Sequence, residues 1–311
     1  MIYTCTLNPA IDLFVEFEDF QPFVVNRSIN EDYQANGKAI NISFILKKMG
    51  IDNTAMGFLG GFTGRYIREV LQEKGIATNF VNVPGITRIN TFVRAKEKEY
   101  KIVNRGPKIG HAEETLMLEK ISEIKAGDML FVSGSLPRGI RDNILVEIAR
   151  ISKQNGFYLV LDVSSSRLLD CLPYEPYLIK PNDEELAALF KKPVPLSEAE
   201  IVHEAEKLLK DGAQNVLVSM GARGAIFLNK ETAVMCTAPV GKVLNTACAG
   251  DSMLAAFAGS LLQGKTIHEA LPFATAVGSS TAFSSGLSDL SDIPVLMKQI
   301  QIKELEYKGG Y

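Results

Sequence analysis

A run of small residues at 245–252, Asn-Thr-Ala-Cys-Ala-Gly-Asp-Ser, leads into an apolar stretch of helical period. Backbone amides at the start of a helix, together with the helix dipole, are suited to binding phosphate. A carboxylate in that first turn, here Asp251, is unfavourable beside phosphate unless it has a chemical task. Accepting the proton of an attacking hydroxyl is such a task, so the pattern indicates phosphoryl transfer. On spacing alone, the alternative that Asp251 or Ser252 only caps the helix is equally compatible.

A second phosphate-binding pattern, the P-loop spacing of residues 259–266, stands in the wrong context. A P-loop needs a strand before its glycines, so that the loop amides point at the phosphate. Residues 252–262 instead have a helical pattern, so we expect Gly264 to end this helix and Thr266 to cap the next one. We therefore reject a P-loop here.

Two other loops are candidates for contact with an anion or a nucleotide. Residues 36–41, Asn-Gly-Lys-Ala-Ile-Asn, open a predicted helix, and Lys38 in its first turn could meet an anion. A lysine at such a position is more often simply solvated. Residues 219–224, Ser-Met-Gly-Ala-Arg-Gly, join two predicted strands and are either a plain hairpin turn or a backbone surface open to a ligand.

The elements that must position these loops alternate between strand and helix. The predicted core strands are 2–7, 54–58, 129–133, 158–162, 178–179, 216–219 and 225–228. The predicted helices are 38–49, 64–74, 113–124, 144–154, 184–190 and 198–209. Such alternation predicts an α/β fold in which helices flank a mostly parallel sheet.

Two stretches break this alternation, because residues 13–17 and 87–103 follow a period of two. We read 87–94 and 100–103 as antiparallel strands joined by a charged link, Lys-Glu-Lys-Glu at 96–99. Together with 13–17 they predict a small sheet that projects from the body as a lid, formed by segments of about 11–35 and 87–106. An edge extension without function is the alternative. The sequence shows no linker and no repeat, so we expect residues 1–311 to form one domain.

Composition narrows the function classes. The chain has 311 residues, 46% of them hydrophobic and 22% charged, as is typical of a globular domain. A net charge of −3 argues against a nucleic-acid partner. Four scattered cysteines and three separated histidines predict neither zinc nor disulfides, which favours a reducing cytoplasm. No signal peptide is visible, and the most apolar segment, 253–262, has about half the length of a membrane span, so we expect no membrane partner.

Two short signatures occur here in the order known from one protein family. The first is a Gly-Lys-x-x-Asn turn at residues 37–41, and the second is the Ala-Gly-Asp turn at residues 249–251. An Asn-x-x-Glu motif at 182–185 and the glycine loop at 219–224 accompany them. Over nearly its whole length the chain resembles the ribokinase-like sugar kinases (phosphofructokinase-B family). The resemblance implies a three-layer, Rossmann-like α/β domain with a small β-sheet lid.

Three further stretches resemble the hexose-phosphate kinases of that family: Thr-Leu-Asn-Pro-Ala-Ile-Asp at 6–12, Thr-Arg-Ile-Asn at 87–90 and Ser-Gly-Ser-Leu-Pro at 133–137. The Thr-Arg-Ile-Asn stretch favours a 1-phosphofructokinase, which uses ATP to convert fructose 1-phosphate to fructose 1,6-bisphosphate. The alternative is a tagatose-6-phosphate kinase, which gives tagatose 1,6-bisphosphate. A catalytically weak sugar-phosphate sensor is a third hypothesis, and the intact Asp251 speaks against it.

The resemblance also implies roles for individual residues, with ATP and Mg²⁺ as the expected cofactors. Asp251 would be the base, and the transferred group would be stabilised by the backbone amides of Cys248, Ala249 and Gly250. The expected substrate-binding residues are Asp12, Gly37, Lys38, Asn41, Arg88 and Ser135. The expected nucleotide-binding residues are Lys180, Ser219, Gly221, Gly224 and Gly250, with residues 274–278 either packing on adenine or belonging to a helix core. Asn182 and Glu185 would organise Mg²⁺ through water.

The chain departs from the family where Ala39 and Cys248 replace the usual glycines. Cys248 is the more consequential, because glycine is often needed where the backbone has positive φ. We expect the helix dipole to shift the Cys248 thiol toward thiolate and make it reactive, while Cys5 in a core strand stays inert. A buried, inward-facing Cys248 is the alternative. The lid is also a candidate surface for a homodimer.

Overall fold

In a computed structural model that describes residues 1–96 and 98–306, the chain is built around one large sheet. Numbered in chain order, the strands of this sheet are β1 (Ile2–Thr6), β4 (Thr54–Leu59), β5 (Ala77–Thr78), β6 (Val81–Asn82), β9 (Met129–Ser133), β10 (Tyr158–Asp162), β11 (Leu178–Ile179), β12 (Asn215–Ser219), β13 (Ala225–Asn229), β14 (Ala233–Cys236) and β15 (Ile302–Glu304). Their order is β15-β14-β13-β12-β11-β10-β9-β1-β4-β5, and β6 also pairs with β4. All pairs among β12, β11, β10, β9, β1, β4, β5 and β6 are parallel. The pairs β12–β13, β13–β14 and β14–β15 are antiparallel.

Helices cover both faces of this sheet, which confirms the three-layer α/β prediction. The helices are α1 (Lys38–Lys48), α2 (Gly61–Glu73), α3 (His111–Ser122), α4 (Ile144–Asn155), α5 (Leu168–Cys171), α6 (Asp183–Leu189), α7 (Glu198–Lys210), α8 (Ala249–Leu262), α9 (Ile267–Phe283) and α10 (Ile293–Met297). Alternation along β9 shows how the layers form. Leu130 and Val132 join the core beneath α3, α4 and α7, while Met129 and Phe131 join the core beneath α1, α8 and α9.

Helix α8 is apolar on all sides because it is enclosed by its neighbours α1 and α9. It continues through Leu262, Gly264 follows with φ +79°, and Thr266 caps α9 in a capping box. The P-loop spacing of residues 259–266 therefore spans a helix end and a turn, as expected. Among the described residues, no helix combines the length and the apolarity that crossing a bilayer requires.

The predicted small sheet is present and separate from the main one. Its strands, in spatial order, are β3 (Asn30–Asn36), β2 (Ala10–Phe17), β7 (Arg88–Ala95) and β8 (Lys98–Ile102). Strands β2 and β7 are parallel, and the other two pairs are antiparallel. The charged link expected at 96–99 is wrong in part, because Lys98 and Glu99 already belong to β8; residue 97 lies outside the described residues.

Candidate active site

The candidate site lies where parallel strands of the main sheet end and the small sheet covers them. Ligands of open α/β sheets bind at this carboxyl edge. A cavity of about 520 Å³ opens there. It brings together most of the expected substrate-binding residues, and the ones that line it are Asp12, Gly37, Lys38, Arg88 and Ser135.

The turn at Gly37 delivers the start of α1 to this cavity. Gly37 has φ +146°, and a Cβ on it would lie 2.6 Å from Cγ2 of Thr6. Only glycine fits such a turn without displacing β1. The hydroxyl of Thr6 also accepts a hydrogen bond from the Ile40 amide at 3.0 Å. The first turn of α1 is thereby fixed, with Lys38 and Asn41 at the site.

Asp12 is held in the lid wall by two amide side chains. Its carboxylate oxygens accept hydrogen bonds from Asn36 Nδ2 at 2.7 Å and from Asn90 Nδ2 at 2.8 Å. Burial raises the pKa of Asp12, although the Asn90 hydrogen bond and the charge of Arg88 oppose that rise. A carboxylate fixed in this way is a suitable acceptor for a sugar hydroxyl.

Arg88 begins strand β7 and is oriented by backbone oxygens. Its guanidinium donates to the carbonyls of Asn8 at 2.9 Å, Asn104 at 3.1 Å and Pro9 at 3.4 Å. Burial lowers its pKa, and the nearby charge of Asp12 counteracts this. None of the hydrogen-bond partners found for it among the described residues is a carboxylate, so its positive charge is available to an anionic ligand.

Asp162, at the end of β10, is a charged residue of the site that sequence reasoning missed. It is buried, and its Oδ1 lies 3.2 Å from Lys38 Nζ and 3.3 Å from Lys180 Nζ. Its Oδ2 has no hydrogen-bond partner in the part of the chain that the structure describes. Lys180, expected at the nucleotide, is also buried here. The sequence signal that could have identified Asp162 is its position at the carboxyl end of a predicted parallel strand.

Asp251 lies in the first turn of α8 and faces the same charges. Its Oδ2 accepts a hydrogen bond from Asn41 Nδ2 at 2.9 Å. Burial, and secondarily repulsion from Asp162, raise the pKa of Asp251 to about 6, against the opposing effects of Lys38, Asn41 and Lys180. A buried carboxylate whose pKa lies this close to neutrality is suited to accept and release a proton.

The start of α8 is a candidate anion cradle beside Asp251. The first helical hydrogen bond runs from the Ser252 amide to the Cys248 carbonyl at 2.9 Å, so the Gly250 amide precedes the intrahelical ladder. The Ala249 amide is already engaged by the Thr246 carbonyl, at 3.4 Å. Lys180 adds charge to the cradle, because its Nζ lies 3.3 Å from where a Cβ on Gly250 would be.

The expectation that the helix dipole shifts the Cys248 thiol toward thiolate is wrong, although Cys248 is only partly buried, unlike the other three cysteines. The residue does adopt positive φ, at +64°, as its place in a usual glycine position suggested. Burial first, and then the charge of Asp251, raise the pKa of its thiol to about 12, which outweighs the helix dipole. Its sulfur is a contact of Asn41 Nδ2 at 3.1 Å. Burial likewise raises the pKa of Cys5 to about 12.

The Asn182-x-x-Glu185 motif builds a helix start. Asn182 Oδ1 accepts from the Glu185 amide at 2.7 Å, and Glu185 Oε2 accepts from the Asn182 amide at 2.9 Å, which is a capping box on α6. The second oxygen of Glu185 accepts from the Ser164 hydroxyl. Among the described residues, no cluster of three or more His, Cys, Asp or Glu side chains could hold a metal ion by itself.

The expected nucleotide loop follows β12, where Ser219 ends the strand. Gly224 is required structurally, because a Cβ there would lie 1.9 Å from the Cys236 carbonyl oxygen. Gly221 borders open space and leaves room for a ligand. The adenine role considered for residues 274–278 is wrong. Ala274 and Val277 are buried in the core around α8, and a Cβ on Gly278 would lie 3.1 Å from the Ala249 carbonyl oxygen.

A buried carboxylate beside a helix start, with two lysines near it and a cavity under a lid next to it, is the arrangement expected of a phosphotransferase that acts on a small alcohol. Residues 6–294 match the family model described as pfkB family carbohydrate kinase, and the chain belongs to this family. The resemblance inferred from the motifs is thereby confirmed.

Named relatives cover the whole fold. The chain is 52% identical to D-tagatose-1-phosphate kinase of Bacillus licheniformis, over 98% of this chain and 100% of that protein. It is 35% identical to 1-phosphofructokinase of Bacillus subtilis, over the same shares of the two chains. Phosphofructokinase-2 from Escherichia coli, solved in complex with substrates and products, superposes with a TM-score of 0.88 at 26% identity, covering 96% of this chain and 98% of that one.

Proposed function

We propose that this kinase transfers a phosphoryl group from ATP to the 6-hydroxyl of a ketohexose 1-phosphate. The observation that carries the proposal is Asp251, a buried base with a pKa of about 6. Asn41 donates a hydrogen bond to it at 2.9 Å, and Arg88, which lines the cavity of about 520 Å³, offers a cation whose hydrogen-bond partners among the described residues are neutral. A base accepts the proton of the attacking hydroxyl, and the cation binds a phosphate that is already on the sugar.

Each side chain receives a role from its surroundings. Asp251 accepts the proton of the attacking hydroxyl, while Asp12 and Asn41 bind other sugar hydroxyls, and Arg88 binds the existing phosphate. Lys38, initially expected at that phosphate, lies 3.2 Å from Asp162, so we assign it to the transferred group instead.

Lys180 and the Gly250 amide complete the cradle for the transferred group. Preorganised donors of this kind contribute about 3–4 kcal/mol each to the transition state. The backbone amides of Cys248 and Ala249 belong to the same turn, and the Ala249 amide makes only a long hydrogen bond, of 3.4 Å, to the Thr246 carbonyl. Gly221 admits the nucleotide beside Ser219.

Magnesium fits the oxygen atoms on this side of the site. The unpartnered Asp162 Oδ2 is a free ligand position, and Glu185 is near enough to raise the pKa of Lys38, against its burial. Mg²⁺ is commonly bound through one or two carboxylates, waters and substrate phosphates, so Asp162, Glu185 and Asn182 would hold it partly through water. When bound, the ion neutralises charge on the phosphates.

Two ketohexose 1-phosphates compete as the substrate. The Thr-Arg-Ile-Asn stretch at 87–90 favours fructose 1-phosphate, whereas the relative named D-tagatose-1-phosphate kinase supports its epimer at carbon 4. Both carry the phosphate and the acceptor hydroxyl at the same positions. Tagatose 6-phosphate would present a different phosphate position to Arg88, and it is therefore the weaker candidate.

An ADP-release assay over a panel of sugars tests the proposal. The panel contains fructose 1-phosphate, tagatose 1-phosphate, tagatose 6-phosphate and unphosphorylated fructose, each with Mg²⁺ and ATP. We expect the highest kcat/KM with a 1-phosphate and at least 100-fold less with fructose. Binding of a 1-phosphate without ADP release would support the sensor hypothesis and contradict ours. Equal turnover of fructose would contradict phosphate recognition.

We also propose that two copies of the chain pair through their lids. Strands β3 and β8 are the edges of the small sheet, and the lid exposes Phe20, Phe23, Val24 and Ile102. Pairing would cover these apolar groups, which a monomer leaves in water. Light scattering should give a dimer mass for the wild type and a monomer mass for Phe23→Asp. A wild-type monomer at 50 μM would contradict this proposal.

A further inference from the structure

A second cavity lies behind the substrate cavity, on the other side of Asn36. It is enclosed by β3, α1, α2, the loop before α8 and the residues after α9, and its volume is about 580 Å³. Small-molecule sites commonly have volumes of roughly 300–1,000 Å³, so this cavity is large enough for a metabolite. Asn36 lines both cavities.

The charged side chains that line the second cavity are all positive. Lys47, Lys48 and Lys74 line it, and no Asp or Glu is found among its lining residues in the described chain. The Lys48 ammonium donates to backbone carbonyl oxygens of Leu287, at 3.2 Å, and Ser288, which are neutral partners.

The carboxylates near these lysines lie outside the cavity lining. Lys47 pairs with Asp52 at 2.7 Å, but that carboxylate is 90% exposed. Burial and repulsion from Lys74 lower the pKa of Lys48, against the attraction of Asp289. The lysines therefore repel one another, and an anion placed between them would relieve this repulsion.

Four aromatic side chains also line the cavity, and Lys74 Nζ lies 5.7 Å from the ring centroid of one of them, Phe44. Phe14, Tyr33, Phe44 and Tyr66 line it, and the Tyr66 hydroxyl donates to the Tyr33 carbonyl at 2.7 Å, which ties α2 to β3. Aromatic faces bind the apolar body of a ligand, while ammonium groups bind its charged end. The lining thus suits a molecule that carries both a phosphate group and a ring.

The wall between the two cavities contains the hydrogen bonds that position the active site. Asn36 Nδ2 donates to Asp12 at 2.7 Å, and Asn36 Oδ1 accepts from Asn41 Nδ2 at 3.0 Å. Asn41 in turn donates to Asp251 at 2.9 Å. A ligand that moves Asn36 would therefore act directly on Asp12, the proposed sugar contact, whereas Asn41 still holds Asp251.

We propose that the cavity behind Asn36 binds a small phosphate ester, with its phosphate at Lys47, Lys48 and Lys74 and its ring body on Tyr33 and Tyr66. Occupancy changes sugar affinity through Asn36. The binding is independent of the function proposed above, and only the coupling depends on it.

Lysine footprinting tests the binding directly, without any assay of activity. The intact protein is acylated briefly with and without inorganic phosphate, AMP or glucose 6-phosphate, and labelling of each lysine is read by peptide mass spectrometry. We expect AMP or glucose 6-phosphate to protect Lys47 and Lys74 at least threefold while Lys125, which follows α3 on the opposite face, is unaffected. The ester that protects these lysines shows whether the site prefers a nucleotide or a sugar phosphate.

Three footprinting outcomes would overturn the proposal. The first is no protection by any of the three probes. The second is protection that disappears in Arg88→Ala, because it would trace to the sugar cavity. The third is that Lys47 and Lys74 are already unreactive in concentrated protein and become reactive on dilution, since a second copy of the chain would then fill the cavity.

A kinetic experiment tests the coupling. The protecting ester is titrated at a sugar phosphate concentration below KM, in wild type, in the double variant Lys47→Met/Lys74→Met and in the control Lys125→Met. We expect at least a threefold change in the KM for sugar phosphate in wild type and control, less than 1.3-fold in the double variant, and kcat within twofold throughout. An unchanged response of the double variant would contradict the proposal.

Discussion

The candidate substrate cavity has one wall from the main sheet and one from the lid, and these two sides hold their charged groups in different ways. On the main-sheet side, Lys38, Lys180 and Asp251 surround the buried Asp162, so that full charges face full charges. On the lid side, Asp12 and Arg88 are held by neutral amides and carbonyls.

This difference teaches which residues act together. Full charges in a buried cluster set one another's protonation, so replacing one of them changes the others. Asp12 and Arg88 also act on each other's pKa, but their hydrogen bonds go to neutral partners, so replacing one of them should remove mainly its own contact with the ligand. The main-sheet wall therefore suits chemistry, and the lid wall suits recognition.

The most severe break in the charged wall is Asp251→Asn, which keeps the shape and removes the base. We expect kcat to fall by roughly 10²–10⁴-fold, with ATP affinity within threefold of wild type. Stopped-time ADP assays and ATP titration measure the two effects. Asp142→Asn, an exposed carboxylate, is the control and should retain full activity. A variant that keeps more than a third of wild-type kcat would exclude Asp251 as the base.

The lid wall is tested by Arg88→Ala. Loss of a charged hydrogen bond of about 1.5–3 kcal/mol should raise the KM for sugar phosphate by roughly 10–150-fold, while kcat changes little. Arg94→Ala is a matched control, because Arg94 lies on the same strand, is 71% exposed and contacts Glu16 at 3.8 Å. Initial rates over a range of sugar phosphate concentrations give the KM and kcat of both variants. Equal effects of both variants would remove the assigned role of Arg88.

The coupling between charges is tested by pH. Because the base must be ionised, kcat/KM should fall as the pH drops through about 6, the pKa of Asp251. Lys38 opposes the rise of that pKa, so Lys38→Met should move this acidic limb to higher pH. Arg88→Ala should leave the limb in place. A limb that stays unmoved in Lys38→Met would mean that the charged wall is not coupled.

The smallest effect is expected at Cys248, which lies between both walls. With thiol pKa values raised to about 12 for Cys5, Cys171 and Cys248 and to about 11 for Cys236, native protein at pH 7.5 should take up less than one equivalent of iodoacetamide in an hour, and unfolded protein four. Cys248→Gly should change kcat less than threefold. Rapid labelling of Cys248 alone in the native protein would contradict the raised pKa of its thiol.

The core of the fold was predictable because its strands are continuous apolar runs. The bounds of β9, β10 and β11 agree with those expected from the sequence. Strand β3 was not predicted as a separate element, because its residues are mainly polar and exposed and only pairing with β2 makes it a strand.

The site was predictable where a motif carries it, as for Asp12, Asn41 and Asp251. Asp162 was missed because a single acid at a strand end has no motif, and only folding brings Lys38 and Lys180 to it. The state of the Cys248 thiol was misjudged because sequence reveals the helix start but not the burial around it.

The register of β2 against β7 has a further consequence for substrate choice. Asp12 is opposite Asn90, and Ala10 is opposite Arg88, in two parallel strands of one sheet. The Asp12 carboxylate and the Arg88 guanidinium are therefore attached to one sheet, and any movement of the lid would carry them together. If they bind a sugar hydroxyl and the sugar phosphate as proposed, the sheet sets the distance between these two contacts, and a sugar with its phosphate on another carbon would make only one of them.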